Sequence, residues 1–548
     1  MKTKPCVEKN ELINLEITGM SSDGNGVGRY EGMAVFVPFT AVGDKLTVKI
    51  VKVQPRYAFG IIDSIIEPSS DRIAVDCPSF GRCGGCDFRH ISYQAELKYK
   101  RDFVCDALKR LGGLDVEVGE IIPSPNVDRY RNKIQLPVVS ENGRLKAGFY
   151  AARSHRTIDA SGCLLEPQII SDIADECCEI LNELGITAYD EKSGSGLLRH
   201  ILLRISVTGE VMVCLVINGK GFKKENDFCS LITDKFGCIK SIIINTNTDN
   251  TNVILGKNCR TLWGDDCLFD MLCGVPVRIS ARSFFQVNNA SASLLYRNVA
   301  ELLNGNGHGT LLDLYCGAGT IGLSLADDFD KIIGVDSVSS AIEDARFNAD
   351  KTNNKNAEFI CADAGEFAAE FISSGRHLDA AVIDPPRQGC DERVIEMLTA
   401  LSPDKLAMVS CNPATLARDL KALTANGFEI QSVTPVDLFA RTKHIETVAL
   451  LSKLHEAKHH VSVKLDMDEM DITSVESKAT YEEIKKYVAE HNNGMKVSSL
   501  NIAQVKRKCG LELAENYNLP KSEDARQPQC TKEKEDAIME AMNAFKMR

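Results

Sequence analysis

Between about residues 10 and 66, apolar and polar residues alternate in short runs, LINLEITGM and then MAVFVPFTAVGDKLTVKIVKV, punctuated by Gly- and Asp-rich stretches such as SSDGNGVG. A period of two broken by turn residues predicts short strands that bury one face. Several such strands in so short a span predict a small five-stranded barrel of the OB-like kind. The period then lengthens. SYQAELKYKRDFVCDALKRLGG spaces its apolar residues at helical intervals and closes on Gly112–Gly113, a helix stop. From about 126 to 270, strand-like segments such as HILLRISV and VMVCLVING alternate with loops, with one helix near 167–184. From about 290, apolar strands and amphipathic helices take turns: TLLDLYC, TIGLSLA, KIIGVD, SAIEDARFNAD, AEFICAD, LDAAVIDPP, LAMVSCNP, LARDLKALTAN, HIETVALLSKL. Alternating β and α units predict a parallel, doubly wound α/β sheet. The pattern then gives way to an acidic linker, 456–478, and a small helical appendage, 479–548. There are no internal repeats.

Composition changes this picture only a little. The chain of 548 residues has room for three or four domains, with 44% hydrophobic and 26% charged residues, as in an ordinary globular protein. No apolar run is long enough for a membrane helix, and MKTKPCVEKNELINLEI lacks the apolar core of a signal peptide, so a cytoplasmic chain is expected. The net charge of -12 means that any nucleic-acid binding must come from a local basic patch. Twenty cysteines in such a chain are expected to be thiols, with clustered ones pointing to metal or catalysis.

Three places carry candidate chemistry. LLDLYCGAGTIGLSLA is a strand, a glycine loop and a helix start; Gly317, Gly319 and Gly322 let the backbone turn sharply and seat a ligand against the helix N-terminus. Asp336, ending the next strand, is placed to accept hydrogen bonds from ribose hydroxyls. That pattern fits a dinucleotide or S-adenosylmethionine equally. AVIDPPRQG sets Asp384 at another strand's carboxyl end, followed by two prolines and Arg387, a rigid polar rim that hydride transfer does not need. MVSCNPATLARDL places Cys411 after the following strand, projecting into the same cleft. Further upstream Cys77, Cys83 and Cys86 cluster within ten residues, with Cys163 much later in DASGCLL. Four thiolates from two loops suit tetrahedral zinc or a [4Fe–4S] cluster, and spacing alone leans slightly to zinc.

RSFFQVNN, DLYCGAGTIGL, DPPRQG, SCNPATLARDL and HIETVALL, in that order, resemble the RNA 5-methyluridine methyltransferase family, specifically its 23S ribosomal-RNA (uracil-5-)-methyltransferase branch. The resemblance spans roughly residues 5–453. It implies a Rossmann-like catalytic domain at 276–455, an N-terminal TRAM-like barrel at 5–66, and a central α+β RNA-binding domain at 70–275 whose helix 92–113 packs on the catalytic domain. It makes Cys411 the nucleophile and Glu446 the general base. Gln286, Tyr315, Gly317, Gly319, Asp336 and Asp384 are assigned to S-adenosylmethionine, with Asp363 near the adenine. For Cys77, Cys83, Cys86 and Cys163 the resemblance turns the choice from zinc to [4Fe–4S]. Two residues depart from the family: Asp336 where Glu is usual, and Ala440 where Pro is usual, which leaves the loop before Glu446 with less intrinsic rigidity.

RNA is the expected partner, 23S ribosomal RNA first and transfer RNA as the alternative, with no membrane and no obligate protein partner. Arg129, Arg131, Lys133, Arg144, Lys146, Arg153 and Arg156, interleaved with Tyr130, Phe149 and Tyr150, form the expected patch for phosphate contacts and base stacking. KVSSLNIAQVKRKCG in the appendage is a candidate recognition helix or an interaction module. Two further readings are a non-catalytic RNA-binding protein on a methylase fold and a nicotinamide dehydrogenase, the latter from the glycine spacing alone.

Overall fold

The computed structural model describes residues 6–151, 154–159, 161–305, 307–374, 377–453, 481–492, 495–508 and 530–544. The linker at 456–478 and Arg153 lie outside them. The chain forms two compact units, Met1–Glu456 and Ala457–Arg548.

The first unit begins with a curled sheet of six strands: β1 (Leu12–Glu16), β2 (Gly19–Met20), β3 (Asn25–Tyr30), β4 (Met33–Pro38), β5 (Lys45–Val53) and β6 (Tyr57–Glu67), in the order β1-β5-β6-β4-β3-β2. The strand beyond the five expected is β2, whose two residues are too few to show an alternation. The sheet bends back on itself, with Thr18 N donating to Val27 O at 2.9 Å. Gly28 permits this approach, because a Cβ there would stand 2.4 Å from the Glu16 carbonyl oxygen. Inward residues such as Leu15, Val35, Val48 and Ile50 fill the core.

Helix α1 (Tyr93–Asp106) starts at Ser92, whose side chain accepts from Ala95 N, and widens into a π-helical turn, Ala107–Gly112, closed by left-handed Gly113. Val104, Ala107 and Leu108 join the core that underlies the catalytic sheet. The chain then runs along one edge of that sheet, where Gly119 N and Ile122 N donate to Val433 O and Pro435 O at 2.8 and 2.9 Å.

A seven-stranded sheet follows: β7 (Lys133–Glu141), β8 (Arg144–Tyr150), β9 (Thr157–Asp159), β10 (Leu198–Ile205), β11 (Val211–Ile217), β12 (Ile239–Thr246) and β13 (Asn258–Gly264), ordered β13-β12-β11-β10-β7-β8-β9. β10 and β11 are buried on both faces; β11 is an unbroken apolar run, whereas β10 buries Arg199, His200 and Arg204 among its apolar residues. One face packs against α2 (Gln168–Glu183) and α3 (Glu225–Lys235), and the other against Leu268 and Ala281.

A short hairpin, β14 (Leu268–Leu272) with β15 (Val275–Ile279), leads through α4 (Asn289–Leu303) into the α/β domain. Its elements alternate as β16 (Thr310–Leu314), α5 (Thr320–Ser324), β17 (Lys331–Asp336), α6 (Ser339–Thr352), β18 (Ala357–Cys361), α7 (Ala364–Ser373), β19 (Ala380–Ile383), α8 (Glu392–Leu401), β20 (Lys405–Ser410), α9 (Pro413–Ala425), β21 (Phe428–Val436) and β22 (Glu446–Lys453). The sheet order is β18-β17-β16-β19-β20-β22-β21, parallel except for β22. The doubly wound α/β expectation is met. The strand order reverses between β16 and β19, which opens a crevice at their carboxyl ends.

The second unit has, among the described residues, three helices: α10 (Tyr481–His491), α11 (Ser499–Lys508) and α12 (Lys532–Ala544). Ile484, Val488, Ile502, Val505, Ile538 and Ala541 form a small core of their own. Among the described residues no helix is long and apolar enough to cross a membrane.

Candidate active site

The parallel strands of the crevice each deliver a group at their carboxyl ends, and antiparallel β22 delivers one at its start. After β16 comes Tyr315, with a left-handed backbone at φ 63°, and then the glycine loop. Asp313, buried in β16, accepts from Gly322 N at 2.8 Å and so anchors the loop to the strand beneath it. Gly317 N donates to Asp336 Oδ2 at 3.0 Å, and Val338 N to Asp336 Oδ1 at 2.8 Å. The short side chain at 336 thus grips its own loop. Each carboxylate oxygen still has acceptor capacity left for a ligand. Gly319 adopts φ 75°, and a Cβ there would meet the Phe359 ring at 2.7 Å.

β19 ends one residue before half-buried Asp384, and β20 ends one residue before Cys411. The Asn–Pro that follows Cys411 has a clear local purpose. Asn412 caps α9 by accepting from Ala414 N, Pro413 takes the first helical turn, and Asn412 Nδ2 donates to Arg387 O at 3.1 Å. Cys411 therefore sits at a helix N-terminus, and the loop carrying Asp384 and Arg387 is tied to the same turn. Glu446 begins β22 and is buried. From the side of the central sheet, Asn132 Nδ2 donates to Gln286 O and Asn132 N to Val287 O, both at 2.9 Å, which fixes the segment carrying Gln286.

These groups line one cleft of about 810 Å³: Gln286, Tyr315, Gly317, Asp336, Asp384, Arg387, Cys411, His444 and Glu446 are all on its wall. That is the size of a cofactor or substrate site. Two residues expected there are not on the wall. Gly319 lies beneath the loop and acts only through its backbone shape. Asp363 is exposed beyond β18, though close enough to raise the Tyr315 phenol electrostatically. Arg387, part of the polar rim after Asp384, is on the wall as well, and so is His444, which begins the HIETVALL motif and carries no sequence signal of its own.

The electrostatics of the cleft are those of charge held out of water. Burial pushes the Cys411 thiol up to about 11, with the Glu446 and Asp384 carboxylates acting the same way and Arg387 opposing them. Burial and then Asp384 hold the Glu446 carboxyl well above its ordinary range. Asp384 is pushed up to about 7 by burial. His444 is lowered to about 4, chiefly by burial, and is a neutral imidazole. A thiol, two carboxyls that favour sharing a proton, and one guanidinium suit nucleophilic addition followed by proton removal.

The four upstream cysteines share a second pocket of about 60 Å³, with Arg89, Arg131 and Glu166 and an apolar lining that includes Phe80, Phe149 and Leu165. Burial raises the thiols of Cys83, Cys86 and Cys163, that of Cys86 to about 12. Among the described residues, the one group of three metal-binding side chains with ligand atoms all within 4.8 Å is His377, Asp379 and Asp404. No three of the cysteine sulfurs are that close together.

The expected RNA patch is smaller than its composition. Tyr130 does not present its ring for stacking; it is buried, and its hydroxyl donates to Ala440 O at 2.9 Å. Arg129 donates to the carbonyls of Cys163 and Glu166, Arg144 pairs with Glu179, and Lys146 pairs with Glu141. The β7–β8 hairpin and α2 set these cations opposite the chain's own carboxylates. Exposed Arg156 remains, beside Tyr150 and His155, whose rings lie 5.2 Å apart.

Comparison with known proteins agrees with this geometry. Residues 275–454 match the tRNA (uracil-5-)-methyltransferase family and residues 7–62 the TRAM domain. An uncharacterized RNA methyltransferase of Clostridium tetani is 39% identical over 459 residues, covering 84% of this chain and all of its own length. One from Halalkalibacterium halodurans is 40% identical over 452 residues, covering 82% and 99%. Among solved structures, the Pyrococcus abyssi tRNA (uracil-54, C5)-methyltransferase in complex with S-adenosyl-L-homocysteine is 31% identical with a TM-score of 0.64, covering 80% of this chain and 99% of its own. The nicotinamide and non-catalytic readings fall away: the chain belongs to the RNA (uracil-5-)-methyltransferase family, as an S-adenosylmethionine-dependent enzyme that methylates uracil C5 and carries an N-terminal TRAM domain.

Proposed function

We propose that Cys411 is the nucleophile and Glu446 the base of this reaction, on a uridine of 23S ribosomal RNA in the cytoplasm. The observation that carries the assignment is the shared cleft, in which a thiol at a helix N-terminus shares the wall with buried Glu446, half-buried Asp384 and Arg387. Gln286, Tyr315, the Gly317 loop, Asp336 and Asp384 would hold S-adenosylmethionine, with Asp363 the residue the resemblance assigns near its adenine, and it would supply a methyl group on a positively charged sulfur. The Cys411 thiolate adds to C6 of uracil, and the C5–C6 double-bond pair moves toward C5 as an enolate. C5 bonds to the methyl carbon while the pair of the old sulfur–methyl bond stays on sulfur. Glu446 then takes the C5 proton, the C5–C6 double bond re-forms, and Cys411 leaves as thiolate.

The cysteine pocket fits a [4Fe–4S] cluster. A single tetrahedral zinc with bonds of about 2.3 Å brings its sulfurs to about 3.8 Å of one another. The wider separation here, in an apolar pocket with Arg89 and Arg131 to offset thiolate charge, favours a larger group. Iron and acid-labile sulfide analysis of anaerobically purified protein is expected to give about four of each per chain; stoichiometric zinc without iron overturns this.

The ribosomal substrate rests on the resemblance to that branch. A specific observation favours transfer RNA as the second reading: the Pyrococcus abyssi enzyme, a tRNA methyltransferase, aligns with 80% of this chain. A match of that length extends well beyond residues 275–454, so the accessory domains alone do not separate the two substrates. Mapping 5-methyluridine in cells with and without the gene is expected to show loss of the mark from 23S RNA. Loss from transfer RNA alone would select the second reading.

A further inference from the structure

Segment 437–445, between β21 and β22, is irregular, yet it sets Phe439 and His444 in the cleft wall and ends at Glu446. Most of its fastenings come from outside the catalytic domain; Asn288 Nδ2, donating to Leu438 O at 3.0 Å, is one from within it. Lys100, fully buried on α1, donates from Nζ to Asp437 Oδ1 at 2.7 Å, to Phe439 O at 3.1 Å and to Glu96 Oε1 at 2.7 Å. Glu96 Oε1 accepts from Arg441 N at 2.7 Å, and Tyr93 donates its hydroxyl to Asp437 Oδ2 at 2.7 Å. Arg441 sits at φ 68°, a backbone shape that a non-glycine residue holds only when its surroundings impose it. The turn just after Cys86 imposes it: Asp87 N and Phe88 N donate to Arg441 O at 2.9 and 3.1 Å, and Lys443 N donates to Asp87 Oδ2 at 3.0 Å. Tyr130 completes the grip through Ala440 O. Cys86 and Cys163 pack in the same small apolar cluster as Tyr130, Leu165 and Ala440. Where a proline would stiffen position 440 from within, this chain holds it from across the domain boundary.

We propose that Asp87, Lys100 and Tyr130 are positioning residues for Glu446, and that through Asp87 and Tyr130 the four-cysteine site holds the base-bearing segment in register. The inference rests on the reading of Glu446 as the base. A buried charge is a costly way to fill space, and an apolar side chain would pack as well. Its return here is direction: Lys100 and its partners fix one backbone path between β21 and β22. A group bound by four thiolates stiffens the turn at Cys86, and Asp87 passes that constraint to Arg441 and Lys443 within one residue. Losing the group loosens the segment while leaving Cys411 and the glycine loop untouched.

The test uses the full-length enzyme and separates adduct formation from adduct decay in rapid-quench experiments with uridine RNA. In Tyr130→Phe and Asp87→Ala, the covalent RNA adduct is expected to form at the wild-type rate and to decay about 10- to 100-fold more slowly, the scale of a sub-ångström misplacement of a reacting group, with KM for S-adenosylmethionine unchanged. Amide exchange should speed up across 437–446 in both variants. Stripping the wild type with chelator and ferricyanide should speed up exchange in the same segment, and stripping Asp87→Ala should add little more. Variants that resolve the adduct at the wild-type rate, or stripped wild type with unchanged exchange at 437–446, overturn the proposal. So does an equal loss in formation and decay, which marks a merely structural role. A wild-type enzyme that never forms an adduct would instead remove the mechanism assigned to Cys411 and Glu446. The exchange data would still decide whether the cysteine site grips the segment.

Discussion

Replacing Cys411 with alanine is expected to lower methyl transfer by about 10⁴- to 10⁶-fold, the range seen when a covalent nucleophile is deleted, and to eliminate trapping by RNA containing 5-fluorouridine. The expectation follows from the substrate. Carbon 5 of uracil is a poor nucleophile, and the protein has no way to activate it except by adding to C6. Cys411 is the thiol on the cleft wall placed at a helix N-terminus and facing the carboxyls that must later take a proton. Burial first, then the Glu446 and Asp384 carboxylates, push its thiol up to about 11, which disfavours the thiolate that must attack. The penalty is electrostatic, set by burial and two carboxyls, and the positive sulfur of S-adenosylmethionine in the same cleft acts against it. Reversible addition of Cys411 to RNA should therefore be faster with a cationic, non-methylating analogue of S-adenosylmethionine bound than with an uncharged one. Turnover retained in Cys411→Ala, measured by methyl incorporation, would sink the assignment.

Glu446→Gln is expected to separate the two halves of the reaction. Glutamine keeps the shape but cannot accept the proton at C5, so the methylated adduct should accumulate on ordinary uridine RNA, visible as a band resistant to denaturation. Turnover should fall about 10²- to 10⁴-fold, the usual share of a general base. The pH dependence has a definite sign. Burial and Asp384 raise the Glu446 pKa, so the group is protonated, and useless as a base, below that raised value. Wild-type adduct should persist longer as pH falls and clear faster as pH rises. Since Asp384 and Glu446 interact, the limb reports the pair and not either residue alone. In Glu446→Gln the limb should vanish. A variant that turns over freely would show that another group takes the proton, with neutral His444 a candidate on the same wall.

Local chemistry is what the sequence exposed. The strand, glycine loop and helix around Tyr315 and Gly317, the carboxyl ends at Asp336 and Asp384, and the Asn–Pro cap after Cys411 are all written in contiguous residues, and the doubly wound sheet follows from their alternation. What it hid depends on distant partners. Tyr130 reads as a stacking aromatic in RYRN, and only the fold shows its hydroxyl on Ala440. Lys100 reads as one more solvated lysine on an amphipathic helix, but both its carboxylate partners and the side chain itself are fully buried. Arg144 and Lys146 read as phosphate contacts; the fold adds that each also pairs with a carboxylate, Glu179 and Glu141, while staying exposed. Strand β2 is too short for any periodicity. Departures from the family pattern were visible as letters at 336 and 440, but not their compensation: Asp336 gripping its own loop, and Ala440 held by Tyr130.

The bond between Lys100 and Asp437 spans 337 residues of chain, and that separation bears on how the enzyme is made. At roughly 5–20 residues per second, helix α1 leaves the ribosome on the order of 20–70 s before the segment that satisfies it. Through that interval Lys100 and Glu96 must stay in water, since a buried lysine with half its partners is strongly disfavoured. Val104, Ala107 and Leu108 likewise wait for the strands they pack beneath. The amino-terminal third therefore cannot finish folding as an independent piece, and the catalytic domain cannot be cut free of it without losing one wall of its own core. Closure of this long loop is a late and entropically costly event, and the segment leading into Glu446 is set in place at the same moment that helix α1 is joined to the catalytic domain.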